Sequence, residues 1–98
     1  MISRIYIIGR ISDAKSINTQ IRFSEAQRIL EQNNLRAFNP VNTFLMYPDS
    51  REIAMKRNLQ CLINSKAVYI LKDSDHIIEN HLEIMLAIKL NILIIHEY

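Results

Sequence analysis

The chain has a single glycine, and that scarcity removes whole classes of site. A loop that cradles phosphate through its backbone amides needs several glycines, both for the turn and for close approach of the anion. Gly9-Arg10-Ile11-Ser12 is therefore neither a Walker loop nor a dinucleotide fingerprint, although Arg10 and Ser12 have the chemistry to hold a phosphate or a ribose hydroxyl. One cysteine excludes an intramolecular disulfide and fits a reducing compartment. Within Leu59-Gln60-Cys61-Leu62 it reads as part of a helix wall, an inert buried thiol rather than a nucleophile.

Other absences narrow the field further. His76 and His81 are five residues apart and His96 lies far along the chain, so no zinc-type spacing is present and no metal is expected. All three histidines read as surface or terminal residues, and no nucleophile elbow supports a Ser-His-Asp arrangement. Twelve basic and ten acidic residues leave a formal charge of +2, with the cations scattered singly apart from Lys56-Arg57. Nucleic-acid binding, which needs a basic stripe, is not expected. No apolar run approaches the roughly 18 residues of a membrane span, and the strand-like start lacks the pattern of a signal peptide. The expectation is a cytoplasmic protein with no membrane partner and no cofactor.

What the chain does have is apolar residues, 49% of 98 positions, enough for the core of one domain spanning residues 1–98. Ile2 to Ile8 is β-rich and ends at Gly9, and reads as a central strand. Ser16 is placed to cap a helix through Ile17, Ile21, Phe23, Ala26, Ile29 and Leu30. Asn33-Asn34 stops it, because asparagine tolerates the left-handed conformation that helix ends often need. Leu35 to Phe38 is a short second strand. From Asn39-Pro40 to Asp49 the chain reads as a long irregular stretch, whose aromatics form a flap over a pocket or close the edge of the core. Asp49 or Ser50 caps a further helix to about Asn64, with Ala54, Leu59, Leu62 and Ile63 as its apolar set.

The stretch from Ala67 onward carries the strongest pattern. Ala67 to Leu71 is apolar without alternation, as expected of a strand covered on both faces. After the polar loop Lys72-Asp73-Ser74-Asp75 a helix follows, with Ile78, Leu82, Met85 and Leu86 as its buried stripe and Glu79, Glu83 and Lys89 outside it. Asn91 ends that helix and Ile92 to Ile95 is the last strand. Four strands alternating with three helices, joined by right-handed crossovers, predict a small α/β domain with a doubly wound parallel sheet in the order 2-1-3-4, a flavodoxin-like (Rossmann-like) arrangement. Its switch point lies between the first and third strands, where the segment after Gly9 faces the Lys72-Asp73 loop and where open sheets place their ligands. Glu83, early in the following helix, falls near it. The plain alternative is that Glu79 and Glu83, four apart on one helix face, are solvated surface carboxylates.

With these residues in view, the chain resembles a small single-domain branch of the nucleoside 2-deoxyribosyltransferase-like family. The matching features, in order, are an apolar strand ending in Gly9; Phe23, Ala26 and Leu30; the pair Asn39-Pro40; Leu59 and Leu62 ahead of Ala67-Val68-Tyr69; and Glu83 followed by Ala87. Asn34 and Asn91 stand where relatives usually have glycine. The resemblance implies that Glu83 is a nucleophile that attacks the anomeric carbon of a nucleoside, releases the base and passes the sugar to another base or to water. It also implies a nucleoside or nucleotide as small-molecule partner and a homodimer or larger homo-oligomer. Asp73, or Asp75, is the expected helper of Glu83. Gly9, Arg10, Ser12, Asn39, Lys72 and Asp75 are the expected substrate-binding set. The chain departs from the family pattern at Arg10, where relatives have proline, and at Asn58 and Lys66, where they have aspartates. It departs again at Ile77, Glu79 and Asn80, where a serine and a Gly-Ala pair are usual. Neither Asn58 nor Lys66 shuttles a proton as an aspartate does. Two expectations follow: an N-glycosidic transferase or hydrolase with a rearranged site, or a non-catalytic descendant that binds a nucleotide-like ligand or a protein partner.

Overall fold

In the computed structural model, residues 4–11, 14–72, 74 and 78–97 are described, apart from the side chains of residues 78 and 79. Ser12, Asp73, Asp75, His76 and Ile77 fall outside these residues, so the roles expected of them stay with the sequence. Four parallel strands form one sheet in the order β2-β1-β3-β4, as the pattern predicts. They are β1 (Arg4–Ile8), β2 (Arg36–Phe38), β3 (Ala67–Ile70) and β4 (Leu93–His96). Register is continuous across the centre, with Ile5, Tyr6, Ile7 and Ile8 opposite Ala67, Val68, Tyr69 and Ile70.

Four helices cross over the sheet, one more than the sequence pattern predicts: α1 (Ile17–Gln32), α2 (Pro40–Met46), α3 (Arg51–Ile63) and α4 (Ile78–Lys89). The additional one is α2, inside the stretch expected to be irregular. Asn39 is its N-cap, with Oδ1 accepting from the Val41 amide at 3.0 Å, and Pro40 occupies the first helical position. A proline there loses no helical hydrogen bond and arrives with its φ already set. Proline breaks a helix from within, but at this position it starts one.

The helix ends follow the sequence closely. Asn34 and Asn91 both adopt positive φ, 62° and 55°. Around each, the chain closes a Schellman motif, with Leu35 N–H donating to Leu30 O at 3.1 Å and Ile92 N–H donating to Ala87 O at 2.9 Å. Ser50 caps α3 through the Ile53 amide at 3.3 Å. Ser16 precedes α1 in the N-cap position, but its side chain makes no cap hydrogen bond.

Alternation along β1 sorts the core into two layers. Ile5 and Ile7 face one side, where Phe23, Ala26 and Leu30 of α1 cover them together with Val41, Ala67 and Leu71. Tyr6 and Ile8 face the other side with Leu62, Val68, Ile70, Ala87 and Ile92, beneath α3 and α4. On α4 the structure corrects the expected buried stripe, since Leu82 and Met85 are 54% and 53% exposed. The face turned inward instead carries Asn80 and Ala87, both buried, flanked by Glu83 and Ile84. Ala87 lets the helix approach the sheet closely, and the Asn80 side-chain amide donates to Ser74 O at 3.0 Å. Among the described residues no helix is long and apolar enough to cross a membrane.

Candidate functional site

Tyr6 is the one residue with a polar side-chain tip among the four β1 residues Tyr6, Ile5, Ile7 and Ile8 that enter the core. Its ring stacks on Phe38 of β2, with centroids 5.5 Å apart and planes within 14°. Its hydroxyl donates to Glu83 Oε2 at 2.8 Å, joining the central strand to α4 across 77 residues of sequence. Burial, together with the Glu83 charge and this hydrogen bond, raises the Tyr6 pKa far above that of an ordinary tyrosine. Tyr6 is therefore a donor near neutral pH, and its hydrogen bond positions one carboxylate oxygen of Glu83.

That pair lies on the wall of a cleft with a volume of about 110 Å³. This far exceeds the roughly 10–15 Å³ needed for one water. Gly9 and Ile11, just past β1, form the cleft's edge on that side. From α3 come Arg51, Met55, Asn58 and Leu59; Phe44 of α2 and Asn80 and Leu82 of α4 complete it. Apolar surfaces on several sides with a few convergent polar groups are the usual build of a small-molecule site.

Each polar group has its own support. Asn58 is only 4% exposed, and its side-chain amide donates to Pro40 O at 3.3 Å while its Oδ1 is buried without a partner. The guanidinium of Arg51 lies over the Phe44 ring, 4.8 Å from its centre. A second such contact, Arg57 over Tyr47 at 5.1 Å, lies outside the cleft lining.

Gly9 is in this lining for reasons of space rather than conformation, because its φ is not positive. A Cβ on it would come within 2.6 Å of Leu71 Cδ1 and 2.8 Å of Phe23 Cζ. Both neighbours are buried side chains of the α1 layer, so the backbone at Gly9 separates that core from the cleft.

Of the residues expected from the sequence, the structure brings Glu83 and Gly9 into the cleft lining. Arg10 is exposed and lies outside that lining. Asn39 is buried elsewhere, capping α2 and donating from Nδ2 to Gln27 Oε1 at 3.2 Å, which is a structural role. Lys72 is exposed, and its backbone N–H donates to Glu97 Oε1 at 2.8 Å. Tyr6 and Arg51 are not among the residues the sequence points to, and Asn58 enters there only as the replacement for a family aspartate. For Asn58 a signal exists, since it interrupts the stripe Ala54, Asn58, Leu62 with a polar group at a spacing that must be buried.

Among the described residues, no three His, Cys, Asp or Glu side chains gather as a metal site would need. No family model, curated protein or solved structure matches the chain.

Proposed function

We propose that the cleft binds a nucleoside or nucleotide and that Glu83 attacks its anomeric carbon, making the protein an N-glycosidic transferase or hydrolase. The observation that carries this reading is the hydrogen bond from the buried Tyr6 hydroxyl to Glu83 Oε2, which orients a carboxylate at the wall of the cleft. In the first step a Glu83 oxygen bonds to the anomeric carbon as the bond to the base nitrogen breaks, and the electron pair leaves with the base. The departing base takes a proton from water or from an acid on the loop after β3, where Asp73 and Asp75 lie in sequence. In the second step water or another base attacks the same carbon and releases the carboxylate. Met55, Leu59 and Phe44 offer apolar surfaces suited to a planar base.

One observation favours a second reading, a binding protein without turnover. The buried amides in the cleft, Asn58 and Asn80, have no titratable proton to give a leaving base.

Mass spectrometry after incubation with nucleosides and nucleoside monophosphates tests both readings. The enzyme reading expects released base and a glycosyl adduct on Glu83. It expects Glu83→Gln, which keeps an acceptor for Tyr6, to lose at least about a thousandfold in rate while still binding ligand. Binding with no released base supports the second reading, and no binding at all rejects both.

A further inference from the structure

We propose that the cleft takes a phosphorylated ligand, whose phosphoryl group sits on Arg51 at the mouth and whose hydroxyl donates to Asn58 Oδ1 at the buried end. This rests on the reading of the cleft as a site for a nucleoside-like ligand and names the chemical class that fits it.

The argument starts from one stripe of α3. Arg51, Met55 and Asn58 stand at i, i+4 and i+7, which is one helix face, and all three line the cleft. Over seven residues the helix rises about 10 Å, so a ligand lying along this face meets different chemistry at its two ends.

At the inner end, Asn58 is 4% exposed and the orientation of its amide is settled by its neighbour. Nδ2 donates to Pro40 O at 3.3 Å, and exchanging the two amide atoms would bring two acceptor oxygens together. That leaves Oδ1 as a buried acceptor without a donor, a rare condition in a folded protein and one that calls for an explanation. A ligand hydroxyl supplies what is missing, and neither a phosphoryl oxygen nor a carboxylate does.

At the mouth the chemistry reverses. Arg51 is the first residue of α3, where the backbone amides and the helix dipole favour negative charge. Its guanidinium lies over the Phe44 ring, 4.8 Å from the centre, a contact that holds the side chain at the cleft, and its fork of N–H groups can meet a phosphoryl group bidentately. The neighbouring acid, Glu52, is directed to Lys56 one turn on, at 3.1 Å. Met55 forms the apolar step between the two ends.

The test is calorimetric titration of the whole chain, at one ionic strength, with four probes: a nucleoside, its 5′-monophosphate, ribose 5-phosphate and inorganic phosphate. The monophosphate is expected to bind about ten- to a hundredfold tighter than the nucleoside, the range of a charge-assisted hydrogen-bonded contact. Arg51→Ala removes that ratio and leaves the nucleoside's own affinity, Arg51→Lys retains part of it, and Arg57→Ala retains all of it. Asn58→Ala weakens the nucleoside and the monophosphate by the same factor. Ribose 5-phosphate binding as tightly as the monophosphate supports the proposal, with a free sugar phosphate as the ligand. Nucleoside binding with no gain from the phosphate, or a gain that survives Arg51→Ala, overturns the proposal and leaves the proposed function standing. Inorganic phosphate binding alone, or no binding of any probe, overturns both.

Discussion

The two faces of the sheet are built from the same strands and solve opposite problems. Under α1, alternate residues of β1 and β3 meet Phe23, Ala26 and Leu30 in an apolar layer. Under α3 and α4 the layer contains Tyr6, and beside it lie the buried amides of Asn58 and Asn80 and the carboxylate of Glu83. Ile7 and Tyr6 are neighbours in one strand, yet one packs in the apolar cluster under α1 and the other carries a hydrogen bond to a cleft residue. The face that gives up apolar packing for buried polar groups, one of them the unpartnered Asn58 Oδ1, is the face with the cleft.

The largest effect on folding is expected at Ile7. It is completely buried, and Ile7→Ala should cost about 2–5 kcal/mol by denaturant unfolding through lost burial and the cavity left behind. If the faces are independent, ligand affinity should not change in the fraction that remains folded. A loss of affinity larger than the unfolded fraction explains would break the comparison.

Gly9 lies at the boundary between them, so the next prediction measures how tightly the two are fitted together. Gly9→Ala pushes a methyl group into Leu71 and Phe23, which are both buried in the α1 layer. A loss of about 1–3 kcal/mol is expected from overpacking. An unchanged midpoint would mean that the α1 layer has slack near the strand end.

These boundaries also explain what the sequence revealed and what it hid. The strand pattern, the sheet order and the two asparagine-terminated helices could be read because each rests on local chemistry: unbroken apolar runs in β1 and β3, and left-handed φ at Asn34 and Asn91. Helix α2 was hidden because Asn39-Pro40 fits a turn as well as an N-cap followed by a proline at the first helical position. The inward face of α4 was misread because its more hydrophobic side, with Leu82 and Met85, faces outward. Small Ala87 and hydrogen-bonded Asn80 won through close approach to the sheet, which no periodicity scale registers. In the cleft, the place of Glu83 after β3 sets it near the strand ends, while its spacing to Glu79 alone reads as a surface carboxylate. Tyr6 gives no such signal, because a tyrosine in an isoleucine-rich strand reads as packing until its hydroxyl is seen to have a partner.

A smaller effect separates packing from hydrogen bonding at Tyr6 itself. Tyr6→Phe keeps the ring stacked on Phe38 and removes only the hydroxyl, so about 1 kcal/mol should be lost near neutral pH. The pH dependence gives the sharper test. Burial raises the Tyr6 pKa in the folded state, so its contribution is fully present below the ordinary tyrosine value of about 10 and is lost as pH rises above it. There the unfolded chain releases the proton and the native protein keeps it, which costs the native protein up to about 1.4 kcal/mol per pH unit. The phenylalanine variant lacks this loss, so the gap between the two proteins should narrow and then reverse in alkaline urea titrations. Parallel decline would mean that Tyr6 ionises without unfolding.

The smallest effect is expected where charge crosses the α1 side. Arg22 of α1 donates from Nη1 to Glu97 Oε2 at 2.9 Å and from Nη2 to Oε1, and Oε1 also accepts from the Lys72 backbone N–H. The Arg22 hydrogen bond, more than any other contact, lowers the Glu97 pKa. A depressed carboxylate stabilises the fold above its unfolded pKa of about 4.3, and that stability is lost as pH falls through the folded value. Because Arg22 is 40% exposed, the pair should contribute less than about 1 kcal/mol, and less again in high salt. Glu97→Gln should therefore lower stability slightly at pH 7, and by less as the pH falls through the lowered folded value. Its value lies in position: Glu97 follows β4 and holds the chain at Lys72, where β3 leads toward α4 and the cleft. If the faces act separately, this variant leaves ligand affinity unchanged. A fall in affinity at pH 7 that fades as the pH is lowered would show that the ion pair on the closed face is coupled to the cleft on the open one.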